Sequence, residues 1–156
     1  MVPACGPRTA TIAIVGEAPG EEEVRSGHPF VGPAGKVLNT ALAQAGILRE
    51  ECYLTNVMKV RPPGNNFGAF YRDKHRRDPL PELQEGIAAV QQEMTEVKPH
   101  VIVLCGAEPL KAFTGLADIA GRRGYLIGSQ WGKLLPTFHP ATVLHATDDD
   151  PMGRSY

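Results

Sequence analysis

Thr11-Ile12-Ala13-Ile14-Val15-Gly16-Glu17-Ala18-Pro19-Gly20-Glu21-Glu22-Glu23 decides how the rest of the chain is read. Its first five residues form an apolar, β-branched run of strand length, and the glycine- and proline-punctuated turn after it marks a carboxyl end. In open α/β sheets ligands bind in the crevice beyond such ends, so Glu17 is delivered to a site rather than to a core. A lone turn carboxylate is usually just solvated. Here Glu21, Glu22 and Glu23 stand within one turn, and His28-Pro29-Phe30-Val31-Gly32-Pro33-Ala34-Gly35 follows. Phe30, among Gly and Pro, has little local core to join and reads as a stacking platform for a flat ligand.

Outward from this stretch, strands and helices alternate. Val37, Leu38, Ala41, Leu42 and Ala45 recur at helical spacing, predicting a helix over residues 35–46 closed by Gly46. A second strand is expected over 52–60, a second helix over 82–97 behind Pro81, and a third strand over 101–106, apolar enough for burial on both faces. A short helix follows over 108–113, then an irregular stretch in which Tyr125-Leu126-Ile127 and Trp131 suggest a hairpin over the sheet edge. The last strand covers 133–138. Gly32-Pro33-Ala34-Gly35-Lys36 is only a fragment of a phosphate loop, with Val37 where Ser or Thr is required.

At 156 residues and 42% hydrophobic content the chain suits one well-buried domain. A net charge of -1 gives no global attraction to a polyanion. A local patch does: Lys59, Arg61, Arg72, Lys74, Arg76 and Arg77 face one acid, Asp73, with Phe67, Phe70 and Tyr71 interleaved. The long loop carrying them, residues 62–81, is of the kind that is functional or disordered. Cys5, Cys52 and Cys105 show no Cys-x-x-Cys spacing and read as buried thiols of a reducing compartment, with neither a disulfide framework nor a zinc site. No membrane span or signal peptide is legible, so a cytoplasmic or nucleoid-associated protein is expected.

Two further polar groups fall at strand ends. Asn56 precedes the Arg61-Pro62-Pro63-Gly64 break, and His139, followed by Pro140, is held in extended geometry after the last strand. Each alone is more simply a turn cap or a structural histidine; with Glu17 they form a convergent set.

These residues resemble the uracil-DNA glycosylases, most closely the family 4 branch. Gly16-Glu17-Ala18-Pro19-Gly20-Glu21-Glu22-Glu23, Gly27-His28-Pro29-Phe30-Val31-Gly32, Thr55-Asn56-Val57-Met58-Lys59 and His139-Pro140-Ala141 match its motifs in order. The resemblance implies an α/β fold, a three-layer α/β/α sandwich around a four-stranded parallel sheet. It implies base flipping, with hydrolysis of the N-glycosidic bond of deoxyuridine as the first step of base excision repair. Glu17 would orient water and stabilise the sugar cation beside Ala18 and Gly20, and His139 would donate to uracil O2. Asn56 would read the base edge, Phe30 stack on it and Glu23 block a thymine methyl group. Lys59, Arg72, Lys74, His75, Arg76 and Arg77 would meet DNA phosphates, and the stretch to Leu144 would wedge into the duplex.

The chain departs from that branch in the four cysteines that hold its iron–sulfur cluster. Cys5 stands alone, Val60 occupies the position expected for the third, and the 82–97 helix has none. The expectation is therefore no cofactor and no metal. Val24 replaces a common acid, residues 65–81 exceed the usual linker, and the chain ends soon after Asp148-Asp149-Asp150, as a short form or a domain excised from a longer protein would. A monomeric, monofunctional glycosylase acting on uracil-containing DNA is the leading reading. The alternative is a catalytically weak module that binds DNA or works with a DNA polymerase or replication partner. A third variant has His75 bond covalently to the abasic sugar, against a solvated loop that touches phosphates.

Overall fold

The structure, a computed structural model, describes residues 1–144. The apolar runs become β1 (Ile12–Gly16), β2 (Tyr53–Asn56), β3 (Val101–Cys105) and β4 (Lys133–Thr137). They form one sheet in the order β2-β1-β3-β4, and every pairing is parallel. The register sets Gly16 beside Asn56 and Cys105 beside Thr137, so the strand carboxyl ends finish along one edge.

Strand alternation assigns the faces. Ala13 and Val15 join Ile102 and Leu104 in one apolar layer, while Ile14 joins Leu54 and Cys105 in the other. Against the first pack α3 (Pro81–Val97), through Leu83, Val90, Met94 and Val97, and α4 (Ala107–Thr114), through Leu110 and Phe113. Against the second packs α2 (Pro33–Gln44), through Leu38 and Leu42. This is the expected three-layer α/β fold, and each fully buried aliphatic side chain contributes about 1.5–3 kcal/mol of transfer free energy. Pro33 stands in the first turn of α2. Past its end Gly46 adopts φ 71°, and Ile47 N–H closes on the Leu42 carbonyl at 2.9 Å, the left-handed cap that the glycine predicts.

Elsewhere tertiary packing overrides the local reading. The acidic turn is a short helix, α1 (Glu21–Ser26), whose first-turn carboxylates sit favourably at its amino end. Residues 1–8 are tied to the sheet. Cys5 and Leu54 exchange backbone hydrogen bonds of 2.9 and 2.8 Å, and Val2 is buried, so this segment covers the open edge of β2. β2 stops at Asn56 rather than running to Val60, because Val57 and Met58 donate their N–H groups across to Gly16 and Glu17.

The loop over 62–81 carries two 3₁₀ turns, Pro63–Asn65 and Phe67–Phe70. Phe67, Phe70 and Tyr71 are core residues at 6%, 1% and 8% exposure rather than surface aromatics, and only Phe67 of the three lines the cleft at the strand carboxyl ends. The irregular stretch forms a one-turn helix, α5 (Ile119–Arg122), and the expected hairpin is reduced to one antiparallel Ile127–Leu134 bridge on edge strand β4, with reciprocal backbone hydrogen bonds of 2.8 Å. Trp131 packs edge-on to Phe113 with ring centres 5.1 Å apart. The chain then enters α6 (Pro140–Leu144), which lies against α2. The Asp148-Asp149-Asp150 segment lies outside the described residues.

Candidate active site

The ends of β1 and β4 converge on one cleft of about 570 Å³, a size typical of ligand sites, and the end of β2 reaches a recess beside it. Glu17, Ala18, Gly20 and Glu23 line the cleft from the first strand and α1, His139 follows β4, and Arg76 and Leu144 stand at its rim. The smaller recess opens between Ala18, Glu23, Phe30, Asn56 and His139.

Gly16 makes that recess. A Cβ at this position would fall 2.4 Å from Asn56 Oδ1 and 2.6 Å from Phe30 Cζ, so a bare backbone is needed where both side chains close in. Asn56 itself is only 5% exposed, on the strand neighbouring Gly16. Phe30 departs from its sequence reading. It is buried at 6% with Ile14, Leu38 and Leu42, because φ of +53° folds it back beneath the sheet edge. Gly35 permits this approach, since a Cβ there would collide with the Phe30 carbonyl at 2.1 Å. The ring is thus a core residue that still lines the recess.

Glu17 is held from behind. The backbone N–H of Glu108, at the start of α4, acts favourably on the Glu17 carboxylate. Gly106, with φ of +105°, leaves room for it, as a Cβ there would lie 2.7 Å from Oε1. Burial, and next the negative charge of Glu108, push the Glu17 carboxyl up to about 7, although the Glu108 N–H and Arg76 act the other way.

His139 is pushed below its ordinary value by burial, against the opposing charge of Glu23. Its Nδ1 accepts the Ala141 N–H at 3.1 Å. A neutral imidazole that accepts at Nδ1 carries its proton on Nε2, so this ring is a donor without being a cation. Glu23 is braced: Oε1 accepts from Gly20 N–H at 2.9 Å, and Oε2 from Val31 N–H at 3.0 Å and Gly32 N–H at 2.5 Å. One carboxylate therefore ties the amino ends of α1 and α2 together at the cleft.

The basic residues divide. Lys59 turns inward, its Nζ reaching the Asn56 carbonyl at 2.6 Å, Thr55 Oγ1 at 2.9 Å and Glu93 Oε2 at 3.0 Å. Burial lowers its pKa despite Glu93. It braces the strand end and is drawn away from solvent phosphate. Arg72 pairs with Asp78 at 3.0 Å, an acid just beyond the basic run. Lys74, His75 and Arg77 are exposed, and His75 does not line the cleft. Arg76 does, and bonds Glu108 at 3.0 Å. The sequence marked Tyr71 only as an aromatic of the basic patch, and gave Gly16, Gly35, Gly106 and Glu108 no role of their own. For the glycines the only signal was their position at strand and helix ends, and the Tyr71–Glu108 pairing left none, since it spans 37 residues.

Cys52 and Cys105 are buried, Cys5 is partly so, and burial pushes all three thiols up. The space between the end of β2 and α3 is filled by Met58, whose Sδ lies 2.6 Å from where a Gly86 Cβ would be, and by the Lys59–Glu93 pair. Among the described residues no cluster of three or more His, Cys, Asp or Glu side chains is placed to hold a metal ion.

Residues 3–154 match the family model described as the uracil DNA glycosylase superfamily. A type-4 uracil-DNA glycosylase of Archaeoglobus fulgidus is 39% identical over 157 residues, covering 92% of this chain and 72% of its own length. One from Thermotoga maritima is 41% identical, with coverage of 85% and 66%. One from Pyrobaculum aerophilum is 36% identical, with 92% and 72%. The chain belongs to the uracil DNA glycosylase superfamily.

Proposed function

We propose that this protein is a DNA N-glycosylase that hydrolyses the bond between uracil and deoxyribose, working on a base flipped out of DNA as the first step of base excision repair. The observation that carries the reading is the recess shared by Phe30, Asn56 and His139, with the Glu17 carboxyl in the adjoining cleft, in a chain of this family. Flipping costs a few kcal/mol, which interactions around the site must offset.

The residue chemistry suits the two charges that the reaction develops. As the C1′–N1 bond breaks, its electron pair leaves with uracil, and the Nε2–H of His139 would donate to the O2 of the departing anion. A preorganised donor of this kind is typically worth ~10²–10³ in rate. The sugar left behind is cationic, and ionised Glu17 would stabilise it while orienting the water that attacks C1′ and taking the proton that water sheds. The Asn56 amide can accept from uracil N3–H and donate to O4, whereas cytosine reverses both groups and leaves the buried amide unpaired. Phe30 would stack on the base, and the braced Glu23 would exclude a thymine methyl group. Ala18 and Gly20 would border the nucleotide, and Leu144 would enter the space that the base vacates.

Phosphates would meet Arg72, Lys74, His75, Arg76 and Arg77, while Lys59 drops out of this set because its ammonium is spent on Glu93 and the Asn56 carbonyl. An iron–sulfur cluster does not fit the residues present, since three cysteines cannot supply four thiolates and burial holds these three as thiols. Purified protein with stoichiometric iron and charge-transfer absorption would contradict this. Action as a monomer, association with the nucleoid and partnership with a DNA polymerase belong to the same proposal.

The test is a labelled oligonucleotide with a single uracil, incubated with protein and then cleaved with alkali. Strand breakage at the uracil alone is the expected result, and an intact strand at stoichiometric protein sinks the reading. A denaturing gel of the untreated sample separates hydrolysis from a covalent adduct at His75.

A further inference from the structure

Glu108 takes no part in the chemistry above, yet it is a buried acid at 6% exposure in the first turn of α4. A carboxylate so far out of water is stable only when paired and hydrogen-bonded. Both of its side-chain partners come from the loop over 62–81: Tyr71 Oη donates to Oε2 at 2.6 Å and Arg76 Nη1 to Oε1 at 3.0 Å. One helical turn on, Lys111 holds the same segment, donating to the Arg76 carbonyl and standing 4.7 Å from the Tyr71 ring centre. Arg76 itself is a non-glycine residue at φ +55°, a conformation that persists only where the surrounding structure dictates it. Its guanidinium packs over Gly68 and lines the cleft.

We propose that Glu108 is a positioning residue for excision: with Lys111 it latches residues 71–78 onto α4, so that Arg76 is fixed at the cleft rim before DNA arrives. This rests on the glycosylase reading. The latch answers a physical problem of the site. A carboxylate pairs badly with a second carboxylate nearby, and Glu17 has Glu108 as a neighbour. Arg76 is the cation that compensates both, and it can do so only while it is held. Its remaining N–H groups, unspent on Glu108, are available to a phosphate or sugar oxygen flanking the flipped nucleotide. The groups bearing on Glu17 are Glu108 from α4, Tyr71 and Arg76 from the latched segment, Cys105 from β3 and the adjoining His139 after β4.

Full-length Glu108→Gln, Tyr71→Phe and Lys111→Met chains separate positioning from stability. Single-turnover excision of a uracil oligonucleotide is followed from pH 5 to 9 at several DNA concentrations, beside hydrogen exchange of residues 71–78. Glu108→Gln should move the acid limb of the rate to lower pH, because Glu17 loses a like-charged neighbour. It should also weaken DNA half-saturation, lower the maximal rate by on the order of tenfold, and speed exchange in the segment. Tyr71→Phe and Lys111→Met should speed exchange there and, by loosening Arg76 while Glu108 keeps its charge, move the acid limb slightly to higher pH instead. If Glu108→Gln lowers the melting temperature but keeps the acid limb and DNA half-saturation of the parent, Glu108 is merely structural and the proposal fails. If the parent chain excises no uracil, the glycosylase reading falls and positioning for excision falls with it; exchange still decides the latch, and parent-like exchange in all three variants overturns that too.

Discussion

Asn56 Oδ1 lies 2.4 Å from where a Cβ would stand on Gly16, its register partner on the neighbouring strand. The Asn56 amide and the glycine that leaves it room are therefore one feature, made by pairing two parallel strands at their carboxyl ends. Gly16→Ala should push Asn56 or Phe30 aside, since 2.4 and 2.6 Å are far inside van der Waals separation. The expected cost is about 1–3 kcal/mol of stability and roughly 10²-fold in excision, read by chemical denaturation and single-turnover assay. Parent-like excision by a folded Gly16→Ala protein would show that the base does not occupy this recess.

Glu17→Gln should trade activity for stability. In the fold the Glu17 carboxyl titrates near 7 rather than 4.5, so the native state holds its proton more tightly than the unfolded chain does. Stability from this group is full below about pH 4.5 and is lost as pH rises through about 7, amounting to at most about 3 kcal/mol. At pH 8 the Gln variant should therefore melt higher than the parent, with the gap closing toward pH 5. Its excision should fall by at least the ~10² expected when an electrostatic group is removed. The parent's excision should rise with pH through the same region, because the ionised form is the working one. A Gln variant that melts lower than the parent at pH 8 would refute the buried-carboxylate account.

Lys59→Met should destabilise the fold without touching the base directly. Lys59 and Glu93 are 19% and 18% exposed, and removing one partner strands the other beside Thr55. Breaking a buried pair costs about 3–5 kcal/mol, and this partly solvated one should cost about 2. The double variant Lys59→Met, Glu93→Leu should recover most of it. Equal stability of parent and single variant in urea would place the pair on the surface.

Neutralising Lys74 and Arg77 together should weaken DNA binding and leave folding alone. Both are exposed and, among the described residues, neither forms an ion pair, unlike Arg72 with Asp78 or Arg76 with Glu108. Every phosphate that is no longer neutralised should flatten the salt dependence by about 0.9 log units on duplex, while stability changes by no more than about 0.5 kcal/mol. An unchanged slope in a binding titration from low to high salt would move the phosphate surface elsewhere.

The sequence alone determined the sheet, because four apolar runs separated by helical periodicity admit few arrangements, and strand ends in a parallel sheet share an edge. That is why the sequence already groups Glu17, Asn56 and His139. Composition, with three cysteines in these residues, set the expectation of no four-thiolate cluster. What local pattern cannot express is pairing across long separations. Phe67, Phe70 and Tyr71 looked like surface aromatics among cations, and only the tertiary structure shows them buried, because their apolar partners lie on α3 and α4. Lys59 looked like part of the basic patch until Glu93, 34 residues away, claimed it. Phe30 was read from its glycine-rich neighbours as a free ring, whereas φ of +53° and the bare backbone of Gly16 and Gly35 place it in the core with one face left to the recess. Charge, shape and protonation at the site are properties of that packing: burial sets Glu17 near 7, and the Ala141 N–H sets the tautomer of His139, neither of which is written in the order of residues.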